Sequence, residues 1–346
     1  RSTLFPYTTL FRSIIDLQKQ SRHKAFWRKL ISTLVVLGLA VLGVLYGPTL
    51  LDALRAMQFQ PSEQITSIRK RIGLTGHGER IFYATAPAIE DKTQFNKSCQ
   101  STERTAAILG CYFKDRIYLY NIKNAELDGT LEVTAAHELL HAVYHRLNGL
   151  ERPRVDQMVR AQYEKIKDDA SLKQIMQYYQ RAEPGAEADE LHSIIGTTVR
   201  DLSPELERHY ATYFTDRAKV VALNESYNRV FNGLSQRADS LQKKIESARP
   251  VIEQDLKQYE VDLEQMNLDI QTFNQRASSG GFNTQAEFQA TRAALLSRAN
   301  ALTSRRQDIN GRVAALNADI TALNEIAVHV NQLNESINGV SAPTGL

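Results

Sequence analysis

His137-Glu138-Leu139-Leu140-His141 places two histidines four residues apart, with a glutamate directly after the first. In a helix, positions four apart share a face, so both imidazoles can reach one ion. Glu138 then stands about 100° round the axis from His137, where its carboxylate can meet a water on that ion. Two neutral imidazole ligands and a carboxylate base are parts of a hydrolytic metal site. Thr134-Ala135-Ala136 before the motif and Ala142-Val143 after it are small or apolar, as a buried helix requires. Asn148-Gly149 supplies the stop. The reading is a helix over Leu131 to Leu147 at the centre of a domain.

This H-E-x-x-H spacing resembles that of zincins, a group of zinc hydrolases. Two histidines do not complete such a site; three protein ligands and one open position are usual. His145 lies eight residues beyond His137, about 12 Å along the axis, too far to share an ion. The metzincin extension asks for glycine at 144 and histidine at 147, where Tyr144 and Leu147 stand. The chain is more similar to gluzincins, the thermolysin-like group whose third ligand is a glutamate on a downstream helix. That resemblance implies zinc as the cofactor, Glu138 as general base and Glu190, in Asp189-Glu190-Leu191-His192-Ser193, as third ligand. Glu187, one turn earlier, is the runner-up, and a solvated acidic face is the plain alternative for this segment. The downstream aspartate of the thermolysin pattern has no clear counterpart. A donor for the oxyanion is also expected; His192, His209, Tyr210 and Tyr213 are available, with His209-Tyr210 the first pair to test.

Outward from the motif, 346 residues leave room for one sizeable domain plus extensions. Apolar content of 42% and charged content of 23% are ordinary for a folded protein, and a net charge of +3 gives no case for nucleic acid. Thr3 to Ser13 resemble a translated sequencing adapter, so residues 1–13 are set aside. A basic tail over 14–29, with Arg22, His23, Lys24, Trp27, Arg28 and Lys29, precedes the uncharged run Leu30 to Gly47. Such a run spans about 27 Å as helix, against a hydrocarbon core of roughly 30 Å. A cleavable signal peptide is the rival, but no clear A-x-A-like site follows Gly47. Residues 30–50 are therefore expected to be a transmembrane anchor, with the N-terminus cytoplasmic and the rest of the chain outside. Cys99 and Cys111 would then be open to disulfide formation; two buried free thiols are the alternative, and a cysteine ligand comes last.

Ser62 to Ile72 reads as a short helix ended by Gly73, Arg80 to Thr85 as a strand, and Thr102 to Leu109 as a small helix. Cys111 to Phe113 and Arg116 to Tyr120, joined by Lys114-Asp115, read as a β-hairpin whose edge can pair with an extended substrate. A long helix is expected over Val155 to Arg181, broken by Pro184-Gly185, and a new helix begins near Ala186. Farther on, Phe288, Leu295, Leu302, Ile309, Leu316, Leu323, Val330 and Ile337 are spaced seven apart. Ile245, Ile252, Tyr259, Met266 and Phe273 repeat the spacing, seconded by Leu256, Leu263 and Ile270. Sustained heptads mean coiled coil. Ser278-Ser279-Gly280-Gly281 separates the two series, and Thr284 with Glu287 forms a capping box. An antiparallel hairpin is expected over 216–340, kinked or restarted at Pro250 and followed by a tail over 341–346. A parallel dimer through either arm competes with it.

The expected class is an α+β zincin-like domain, mostly helical, over 76–215. A juxtamembrane segment over 51–75 precedes it, and the coiled-coil hairpin follows. The expected function is that of a bacterial, membrane-anchored peptidase acting outside the cytoplasm, with zinc on His137, His141 and Glu190. Its expected partners are a peptide or protein substrate, the membrane, and a second protein or copy through the coiled coil. The alternative class is an envelope tether or scaffold with a structural or inactive zinc site. The intact Glu138 favours the enzyme, since a structural site has no use for a base.

Overall fold

A computed structural model describes residues 28–38, 43, 47, 49–99, 109–169, 172–173, 175–177 and 185–338. α1 (Glu63–Ile72) starts on Ser62, whose hydroxyl accepts from the Ile65 N–H. It buries Ile65, Ile68 and Ile72 and ends on Gly73 at φ 65°. α2 (Gly76–Ala84) starts on Thr75 in the same way and buries Ile81 and Phe82. The strand expected over Arg80 to Thr85 is therefore corrected to helix. The Thr75 cap begins a turn upstream, and Gly78, Ile81 and Phe82 then fall on one helical face toward the core.

β1 (Ala88–Glu90), α3 (Lys92–Ser98), β2 (Gly110–Phe113) and β3 (Arg116–Tyr120) follow. The sheet order is β1-β3-β2, with β1 parallel and β2 antiparallel to β3. Lys114 and Asp115 join β2 to β3 with φ of 50° and 61°, the paired positive values of a tight hairpin turn. Cys99, at the end of α3, is disulfide-bonded to Cys111 in β2.

α4 (Thr130–Arg146) runs through the core and buries Ala135, Ala136, Leu139, Leu140, Ala142 and Val143. Its small residues let neighbours approach on several sides: α1, α2 and the sheet, and α6 (Glu187–Thr198). α5 (Glu151–Ile166) packs against α6 and against α7 (Pro204–Tyr210), and α7 meets α6 through the Tyr210 hydroxyl on the His192 carbonyl. The long helix expected to reach Arg181 stops at Ile166.

α8 (Arg217–Ser278) and α9 (Gln285–Ile337) pack along each other. Ion pairs fix their direction, since Asp255 meets Arg312, Asp262 meets Arg305 and Asp269 meets Arg298. Numbers that fall on one arm as they rise on the other make the pair antiparallel. Ile252, Met266 and Ile309 are buried in the seam. Leu256, Leu263 and Ile270, expected to second that seam, are 38%, 39% and 39% exposed. The aspartates one residue earlier hold the inward position instead. α8 also continues through Pro250 rather than restarting there.

Two expectations about class and placement are corrected. The described residues form a predominantly helical fold whose sheet strands are only three to five residues long, rather than an α+β domain behind a transmembrane helix. Among them no helix is long and apolar enough to cross a membrane, which overturns the membrane anchor and the single-pass placement read from residues 30–50. Residues 28–38, 43 and 47 are helical. Residues 49–58, also helical, lie against the domain: Asp52 accepts two hydrogen bonds from Arg146, and Arg55 pairs with Asp115. The adapter-like segment, the tail from 14 to 27, residues 39–42 and 44–46 of the apolar run, 102–108 of the expected small helix, 170–171, 174 and 178–181 of the expected long helix and the tail over 341–346 lie outside the described residues.

Candidate metal centre

The two turns of α4 that carry His137 and His141 face α6, and the crossing is close. A Cβ on Gly196 of α6 would come 2.4 Å from Leu140 Cδ1 and 2.8 Å from Tyr210 Cε1. With no side chain there, α6 can lie directly on α4 and bring its first turn to the histidines. His137 Nε2 and His141 Nε2 are 3.1 Å apart. Glu190 Oε1 is 3.5 Å from His141 Nε2, and Glu190 Oε2 is 3.8 Å from His137 Nε2. Donors bound at about 2.0–2.1 Å around a tetrahedral ion stand about 3.3 Å from one another, and the three separations bracket that value. His137, His141 and Glu190 thus form a group that can hold a metal ion. Their side chains are 24%, 12% and 6% exposed, so the approach from solvent is on the His137 side.

The other acidic residues of α6 have separate employment. Glu187 Oε2 accepts from the Gly185 N–H at 3.1 Å, closing the start of its own helix. Asp189 Oδ1 lies 2.8 Å from His141 Nδ1, and its Oδ2 lies 3.1 Å from His145 Nε2. A carboxylate on Nδ1 fixes the tautomer that leaves Nε2 as the ligand. Asp189 therefore orients His141 from the position just before the third ligand, a role the sequence reading left unassigned. His145, rejected above as a ligand, rests on Asp189 and is half exposed.

Electrostatics in the metal-free site follow from burial and these neighbours. Burial pushes the His137 pKa down to about 3, with the His141 charge acting in the same direction. Burial also opposes the His141 imidazolium, but the Glu190 charge and the Asp189 hydrogen bond hold its pKa up at about 10. Asp189 is buried too, yet its hydrogen bonds with His141 and His145 keep its pKa below the usual carboxylate range. Glu138 is 6% exposed and adds to the field that favours the His141 charge.

The remaining candidates gather elsewhere. His192 Nε2 and His209 Nε2 are 2.8 Å apart, and burial lowers the His209 pKa to about 4. Tyr210 is fully buried and donates its hydroxyl to the His192 carbonyl at 2.7 Å. Tyr213 packs its ring on His209. These side chains build the α6–α7 contact and are not members of the His137, His141 and Glu190 group. Compared with protein-family models, curated proteins and solved structures, the chain matches none.

Proposed function

We propose that the protein is a zinc-dependent peptidase of zincin type. The observation that carries this reading is the convergence of His137, His141 and Glu190 from two crossing helices, with Glu138 buried on the same helix as the histidines and its charge acting on His141. Two imidazoles and one carboxylate are the donor set of catalytic zinc sites that keep a fourth position open. When bound, zinc supplies Lewis acidity, acidifying a water and polarising a carbonyl oxygen. Asp189 holds His141 in the binding tautomer. Glu138 takes the proton of the attacking water and passes it to the leaving amine. The edge strand β2, which packs against α4, offers backbone groups for pairing with an extended peptide.

The test is Glu138→Gln in the intact chain, assayed with a peptide library and by elemental analysis. Glutamine keeps the size and a hydrogen bond but cannot accept the proton, so cleavage is expected to fall about 10²–10⁴-fold with one zinc still bound. Unchanged cleavage would remove Glu138 from the mechanism. A second reading, a scaffold with a structural zinc site, is favoured by the long α8–α9 hairpin. Under it the wild type binds zinc, cleaves nothing, and associates with a partner or a second copy through the hairpin.

A further inference from the structure

His137, His141 and His145 form one row along α4, a turn apart. The first two meet Glu190. The third lies too far along to share their ion, yet it is tied to the same turn of α6. His145 Nε2 stands 3.1 Å from Asp189 Oδ2, while Asp189 Oδ1 stands 2.8 Å from His141 Nδ1. An ionised carboxylate only accepts, so each ring nitrogen facing it carries a proton. The Asp189 side chain is 16% exposed and spans the two imidazoles with its two oxygens. The last torsion of an aspartate is broad. A carboxylate held at Oδ1 alone is therefore free to turn, and the second contact fixes its plane. His145 is itself held, although its side chain is 57% exposed. Its ring centroid lies 5.4 Å from that of Tyr112 and 6.4 Å from that of Tyr144. The Tyr112 hydroxyl donates to Asp115 at 2.8 Å and accepts from Arg146 at 3.1 Å, and that of Tyr144 donates to Asp156 at 2.7 Å. Both flanking rings are thus anchored at their far ends. An exposed ion pair contributes little to stability, so a built seat for a surface histidine points to a role at the metal centre.

We propose that His145 is a positioning residue of the metal centre: by holding Oδ2 of Asp189 it keeps Oδ1 on His141, and so keeps His141 Nε2 aimed at the ion. The proposal rests on the metal site of the zinc reading and not on peptide cleavage. Without a donor at 145, Asp189 turns toward solvent and the His141 ring loses the partner that sets its tautomer.

The test is metal affinity in the full chain, measured for zinc by competition with a chelator and for cobalt(II) by visible absorption. His145→Ala should bind one equivalent about 10-fold more weakly, with a shifted cobalt spectrum and with thermal unfolding of the metal-free protein as in the wild type. His145→Gln, whose amide nitrogen donates from nearly the place of Nε2, should restore affinity and spectrum. In an Asp189→Ala background, His145→Ala should cost no further affinity, because its effect passes through the carboxylate already removed. Wild-type affinity in His145→Ala would overturn the proposal. So would a loss that glutamine leaves uncorrected, or losses that add in the double variant, since His145 would then act other than through Asp189. If the wild type binds metal but cleaves no peptide, only the peptidase reading fails and the affinities still decide. If it binds no metal, the metal centre and this proposal fall together.

Discussion

An imidazole presents one nitrogen to an ion only when its other nitrogen has somewhere to leave a proton. Asp189 gives His141 that place, 2.8 Å from Nδ1. Removing the charge with Asp189→Asn is expected to weaken metal binding about 10- to 100-fold, measured by competition with a chelator. Glu187→Ala should leave it unchanged, and Glu190→Ala should abolish it. The pH dependence has a definite sign. His141 in the metal-free protein titrates at about 10 and is protonated at neutral pH, so an entering ion displaces its proton. Affinity should rise with pH below that value, and calorimetry at pH 8 in buffers of different ionisation enthalpy should find about one proton released per ion. Affinity that falls with rising pH would contradict this picture of the site. His137 and His141 were legible in the sequence because the four-residue spacing fixes them on one face. Asp189 was not legible. Glu187, Asp189 and Glu190 form an acidic run whose roles depend on the phase of α6 against α4, and that phase is set by the Gly196 contact.

At the scale of elements, the heptads read correctly where the inward residue is apolar and misled where it is charged. Phe288 through Ile337 at seven-residue spacing are all at least partly buried, and so are Ile245 through Phe273. The second series failed because Asp255, Asp262 and Asp269 reach the arginines of α9, rotating Leu256, Leu263 and Ile270 outward. Pattern alone cannot tell a leucine seam from an ion-pair ladder set one residue away. The two kinds of contact should differ in cost. Ile309 is 2% exposed, so Ile309→Ala should destabilise the hairpin by about 2–5 kcal/mol. Arg305 is about one-third exposed, and Arg305→Ala should cost less than about 1 kcal/mol. Denaturant unfolding of the two variants side by side checks the order. The reverse ranking would mean that the ladder, and not the apolar seam, holds the arms together. The misread strand at Arg80 to Thr85 has the same kind of cause, since its side chains favour a strand while the Thr75 cap and the core on one side favour the helix.

Across the described residues, Arg217 at the base of the hairpin joins it to the metal-bearing helices. Arg217, 4% exposed, donates to the carbonyls of Gly196, Val199 and Arg200 and so closes the end of α6, the helix that carries Glu190. Val220 and Val221 are fully buried one turn on. The returning end of α9 packs Ile326, Leu333 and Ile337 with Leu127 and Leu234. Beyond this base, the buried residues of the arms pack across the hairpin. The metal centre should therefore depend on Arg217 and be indifferent to the length of the shaft. Arg217→Ala leaves the terminal carbonyls of α6 without their donor, and each orphan costs about 1–3 kcal/mol. Metal affinity should fall with it, although Arg217 touches no ligand. Deleting residues 252–265 together with 302–315 takes two heptads from each arm and rejoins the seam in register. That shortened protein should bind metal with wild-type stoichiometry and affinity and keep any peptidase activity. If it stays helical by circular dichroism yet loses the metal, the shaft reaches the site by a route other than the contacts at its base.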